Sequence, residues 1–110
     1  MFAEYHEFDA VGLAQLIRER EIGIEEVMEE AITRSDAVNS KLNCLSYKAY
    51  EIALEQARNS RLDGPLVGVP WLVKELASSW AGQPLTNTVP YLKDVVADQD
   101  SELIRRLKNA

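Results

Sequence analysis

The run Leu66-Val67-Gly68-Val69-Pro70-Trp71-Leu72-Val73-Lys74-Glu75-Leu76 constrains the fold more than any other part of the chain. It is apolar almost without a break, and β-favouring around Val69, Trp71 and Val73. A strand with one wet face alternates polar and apolar residues, whereas an uninterrupted apolar strand is buried on both faces of a sheet covered by helices. Pro65 and Pro70 limit where such a strand begins, because proline has no N–H for a central ladder. The sequence therefore predicts a strand over 69–75 inside an α/β architecture, with a single neighbour available at 42–46, a short apolar segment bounded by polar residues.

Helices are expected around these segments, over 9–20, 24–38, 47–60 and 100–109. Asp9 is placed to cap the first, whose Leu13, Leu16 and Ile17 recur at helical spacing. Gly23 separates it from the second, where Glu25, Glu26, Glu29 and Glu30 load the N-terminal half, the favourable end of the helix dipole and a solvated face. Asn39-Ser40-Lys41 reads as a turn, Ser46 as a cap for the third helix, and Leu62-Asp63-Gly64-Pro65 as its break. Ala77–Val96 carries Gly82, Pro84 and Pro90 and reads as a long loop, a feature that is usually functional or incompletely packed. Asp98 or Asp100 is placed to cap the last helix. One buried strand with one neighbour is less than a sheet, so the chain, taken as a single domain over 1–110, advertises a larger α/β protein than it contains. As an isolated piece it would be α+β.

Charge and composition narrow the function classes. The 110 residues carry a formal net charge of −6 and no basic run beyond Arg105-Arg106. Nucleic acid and anionic membranes both require clustered positive charge, so neither is expected as a partner. No apolar stretch is long enough to span a bilayer, and Met1–Phe8 lacks the basic-then-apolar order of a signal peptide. Cys44 is the single cysteine and has no internal disulfide partner, so a reduced, cytoplasmic setting is the expectation. His6 is the single histidine, which leaves little basis for a histidine-rich metal site or a histidine-centred triad. Neither a metal nor a cofactor is expected.

Several segments, in order, resemble the N-terminal portion of the amidase signature family. Phe8–Arg18 resembles its first helix, and Asn39-Ser40-Lys41-Leu42-Asn43 its N-x-x-L-N turn. Gly64–Leu76 resembles its GPL-x-GVP-x-x-x-K-D segment, Gly82-Gln83-Pro84-Leu85-Thr86 its G-x-P-T-T loop, and Asp100–Ala110 its D-S-x-x-V-x-R-L-K-x-A-G helix. Each alone is weak; in this order and spacing they are specific. Glu75 stands where the pattern has aspartate, Leu85 where it has threonine, and Asn87-Thr88-Val89-Pro90 lacks the Gly-Ser that follows, which leaves the substrate subgroup open.

The resemblance implies the truncated N-terminal helices and first strands of an α/β/α mixed-sheet hydrolase that cleaves amide C–N bonds with a serine nucleophile, a second serine held by a cis peptide bond, and a lysine. That lysine maps onto Lys74; the serines lie beyond this chain. The implied partner is a small-molecule amide, with an aryl amide, a cyclic amide or a glutaminyl-tRNA complex left open. The chain alone is expected to be inactive, and its open strand edges predict association between copies or marginal folding. The alternative is a non-catalytic helical interaction module, or a relic of that family.

Lys74 is also singled out by its neighbours. A lysine acts as a base only when a useful fraction is neutral, and burial against apolar residues lowers its pKa. Lys74 ends the run Trp71-Leu72-Val73, whereas Lys41, Lys48, Lys93 and Lys108 sit in turns or on helix faces. Without the resemblance a strand-end lysine more often snorkels or pairs. Other candidates are weaker. Ser78 is four residues past Lys74, a dyad spacing only on a helix. Ser79 has less support; Cys44 reads as a small buried hydrophobe, and His6 with Glu4 and Glu7 as a frayed terminus. Trp80 either lines an entrance or anchors the loop.

Overall fold

Asp9 starts the first long helix. Its carboxylate accepts from Gly12 N–H at 2.8 Å, and α1 then runs Ala10–Arg18. The computed structural model describes residues 2–110 and divides into two compact units, one ending at Pro70 and the other spanning Trp71–Ala110. In the first unit a 3-10 turn, Ala3–Glu7, precedes α1, and α2 (Ile24–Leu42) and α3 (Tyr50–Asn59) follow. Gly23 caps α2 without a side chain, and Glu25 and Glu26 in the first turn face the positive end of its dipole.

The core of this unit is Leu13, Ile17, Val27 and Val67, with Phe2, Tyr5, Ile22, Ile24 and Val69 packed against it. Val67 reaches the helices because residues 65–68 form a turn, closed by Val69 N–H donating to Leu66 O at 3.1 Å. Gly68 makes the turn possible. Its φ is +71°, and a Cβ there would lie 2.8 Å from both Ile17 Cδ1 and Ile24 Cγ1. Arg18 adds a bond to Pro65 O at 3.1 Å. Against α2, Arg58 of α3 pairs with Glu25 at 2.6 Å, and Lys48 and Tyr50 both reach Asp36, at 2.5 and 3.0 Å.

The second unit is a braced loop followed by α4 (Glu102–Asn109). Gly82 N–H donates to Ala97 O at 2.8 Å, Ala97 N–H to Gln83 O at 2.9 Å, and Leu85 N–H to Val95 O at 2.9 Å. A 3-10 turn, Pro90–Leu92, lies at the far end of this pairing. Ser101 is the cap of α4, its hydroxyl accepting from Ile104 N–H at 3.4 Å. Asp100 instead reaches back to accept from Ala81 N–H at 2.8 Å and pairs with Lys108 at 2.6 Å. Ala97 and Ile104 are the buried residues here.

The expected α/β mixed sheet is absent. Among the described residues there is no strand, only an isolated antiparallel bridge between Pro84 and Val96, and the chain is helical. The segment 42–46 is no strand because Asn39-Ser40-Lys41 contains no helix breaker. α2 continues through Leu42 and stops where Asn43 turns left-handed at φ 47° and donates to Asn39 O at 2.8 Å. The segment 69–75 has no regular secondary structure over 69–74 and forms no strand pairing among the described residues; the positive φ of Gly68 turns its first part onto the helices. Trp71 and Leu72 are 56% and 70% exposed, so the apolar run is not buried on two faces.

Candidate functional site around Lys74

Lys74 ends the irregular stretch 71–74, and it is exposed. The desolvation that the apolar run suggested is not supplied locally, because Trp71, Leu72 and Leu76 are themselves exposed. The next residue is differently placed. Glu75 is partly buried, and its carboxylate accepts from Thr86 N–H across the loop. The Thr86 hydroxyl contributes most to holding this carboxyl below the usual carboxylate range, followed by the N–H groups of Thr86 and Asn87.

Those donors sit on a shaped backbone. Asn87 and Thr88 have φ values of 47° and 60°, a region that a β-branched threonine seldom enters. Thr86 Oγ1 accepts from Thr88 N–H at 3.3 Å, and the Thr88 hydroxyl donates to Asn87 O at 2.6 Å. The loop that Glu75 grips is thus internally tied as well as braced by the 82–97 pairing.

The remaining candidates are not brought to Lys74. Residues 75–77 turn, with Ala77 at φ 66°, so Ser78 does not follow Lys74 on a helix; its N–H donates to Glu75 O at 3.4 Å. Ser79 O accepts from Ser101 N–H at 2.9 Å, a structural tie to α4. Trp80 is partly buried under Lys108, whose ammonium lies 5.7 Å from the ring centroid. Cys44 is exposed in the loop after α2 rather than buried in a strand. His6 is exposed, its Nδ1 3.2 Å from Ala3 O, and no three His, Cys, Asp or Glu side chains gather as a metal site among the described residues. No helix among them is long and apolar enough to cross a membrane. A recess of about 280 Å³ in the first unit, lined by Tyr47, Lys48, Ala49, Tyr50, Glu51 and Ile52, adjoins the Asp36–Lys48 pair.

Sequence reasoning missed Thr86 as a partner of Glu75 and Asp100 as a partner of Ala81. Both bonds join residues distant in the chain, 11 and 19 positions apart, and no local pattern announces them. The one usable signal was a carboxylate directly after the lysine, followed by a Thr-Asn-Thr tract.

The model of the family described as Amidase matches residues 26–110. The lipoamidase of Enterococcus faecalis is 35% identical over 109 residues, covering 98% of this chain and 15% of that protein. The 6-aminohexanoate-cyclic-dimer hydrolase of Paenarthrobacter ureafaciens is 31% identical over 104 residues, covering 93% of this chain and 21% of that protein. The indoleacetamide hydrolase of Bradyrhizobium diazoefficiens is 34% identical over 111 residues, with 94% and 21% covered. The chain therefore spans between 15% and 21% of the length of these relatives. No solved structure matches.

Proposed function

The chain belongs to the Amidase family, and from that premise we propose that it is the N-terminal segment of an amide hydrolase, to which it contributes the lysine of a Ser–cisSer–Lys triad, Lys74. The observation that carries this reading is the family match across residues 26–110, which includes the GVP-x-x-x-K run ending at Lys74. In the full-length protein the neutral lysine amine takes a proton from the bridging serine, which in turn takes one from the nucleophilic serine. The serine oxygen attacks the amide carbonyl, the C–N bond breaks, and the returned proton leaves with the amine. Water then hydrolyses the acyl-serine to the carboxylic acid.

Lys74 is exposed in this chain, so the apolar surroundings that make its amine a base come from residues outside it. Exposure of Trp71, Leu72 and Leu76 supports that reading, since these side chains offer an apolar surface on either side of the lysine. The substrate is a small-molecule amide, in line with the amide-hydrolase names of the relatives. No serine hydrogen-bonds Lys74 among the described residues, and on this reading the chain by itself is inactive.

Release of ammonia or amine from a panel of simple, aryl and cyclic amides tests this. The full-length protein turns over at least one of them and loses that turnover on Lys74→Ala, while the 110-residue chain stays at the buffer blank. Turnover by the 110-residue chain, or full turnover by the Lys74→Ala protein, overturns the reading. The second reading, a non-catalytic interaction module, gains support if the full-length protein cleaves none of the panel.

A further inference from the structure

We propose that Glu75 is a positioning residue for Lys74, fixing the lysine's backbone against the loop at 86–88; this rests on the reading that Lys74 moves the proton. Lys74 has no polar side-chain partner among the described residues, so its position is set through its neighbours. On the N-terminal side, Trp71–Val73 have no regular secondary structure and make no backbone hydrogen bonds among the described residues. On the C-terminal side, the Glu75 carboxylate is anchored by Thr86 N–H across the loop. The anchor itself is rigid, because the loop is paired through Gly82–Ala97 and Leu85–Val95 and tied internally at Thr88. One peptide bond links the anchored residue to the proposed base, so the reach of the amine is limited to the arc that its own side-chain rotamers allow.

Glutamine at 75 keeps the shape but loses the charge that strengthens the bond from Thr86 N–H. Aspartate keeps the carboxylate on a shorter arm. A misplacement on the order of 1 Å costs up to about a hundredfold in rate.

The test uses the full-length protein and one amide that it cleaves. For Glu75→Gln, kcat falls about tenfold to a hundredfold with KM changed less than about threefold, and Glu75→Asp recovers most of the loss. A KM that rises in step with the fall in kcat, a Glu75→Asp protein no better than Glu75→Gln, or an unchanged kcat in Glu75→Gln overturns the proposal. If Lys74→Ala retains the parent rate, it is the reading of Lys74 that has failed, and the Glu75 proposal falls with it.

Discussion

Arg34 Nε donates to Glu30 Oε1 at 2.8 Å, one turn apart on α2, and Glu30 is the one charged side chain buried among the described residues, at 7% exposure. The pair does more than stabilise its own helix. Glu30 also accepts from Phe2 N–H at 3.3 Å, Arg34 donates to Ala3 O at 3.0 Å, and the guanidinium lies 5.5 Å from the Tyr5 ring centroid. The N-terminal turn is held on α2 by two side chains with satisfied bonds, which is how a carboxylate survives in a largely apolar setting.

Glu30→Ala leaves Arg34 and Phe2 N–H without their acceptor, and is expected to cost about 2 kcal/mol in urea melts followed by circular dichroism. Arg58→Ala, which breaks an exposed pair with Glu25, is expected to cost less than about 1 kcal/mol. Equal losses for the two variants would contradict this ranking.

Gly68→Ala meets both a positive φ of +71° and side-chain atoms at 2.8 Å. The expected destabilisation is about 2 to 4 kcal/mol, the sum of backbone strain and overpacking against Ile17 and Ile24. The same urea melts check it, and a midpoint equal to the parent's would show that the 65–68 turn is not what seats Val67.

This glycine also explains why the fold was only partly legible. Asp9 announces α1 through local chemistry that the structure uses as expected, since capping depends on residues three apart. The β-favouring run Leu66–Leu76 misleads because its composition reports burial, and burial of Val67 comes from a left-handed turn onto α1 and α2. Asn39–Lys41 misleads in the opposite way: polar residues suggested a turn, but nothing in them stops a helix before Asn43. At the site, Lys74 was legible as a residue worth naming, while its exposure and the grip of Glu75 on Thr86 depend on contacts across the loop.

The carboxyl of Asp100 is held below the usual aspartate range, first by the Lys108 ammonium and then by Ala81 N–H. An acid whose folded pKa is lowered stabilises above its unfolded pKa, and that contribution is lost as pH falls through the folded value. Asp100→Asn should therefore lower the melting temperature at neutral pH, with the difference from the parent closing as pH drops below the ordinary aspartate range. A difference that grows on acidification would contradict the assigned pairing.

Trp71, Leu72 and Leu76 expose apolar side chains close together in sequence, and exposed apolar surface favours association between chains. The 110-residue chain is expected to elute from a sizing column ahead of its monomer position, in a concentration-dependent way. Changing Trp71 and Leu72 together to glutamate should restore the monomer. A monomeric parent at all concentrations would contradict this.

The most direct test of Lys74 as a proton carrier is the initial rate of amide hydrolysis by the full-length protein carrying Lys74→Arg. Guanidinium keeps the charge and much of the reach but does not deprotonate in the working pH range. The account predicts a loss of about a hundredfold or more, close to that of Lys74→Ala, with Lys93→Ala within about twofold of the parent. A Lys74→Arg protein that keeps most of the parent rate would contradict it, because Lys74 would then be holding charge or geometry rather than moving a proton.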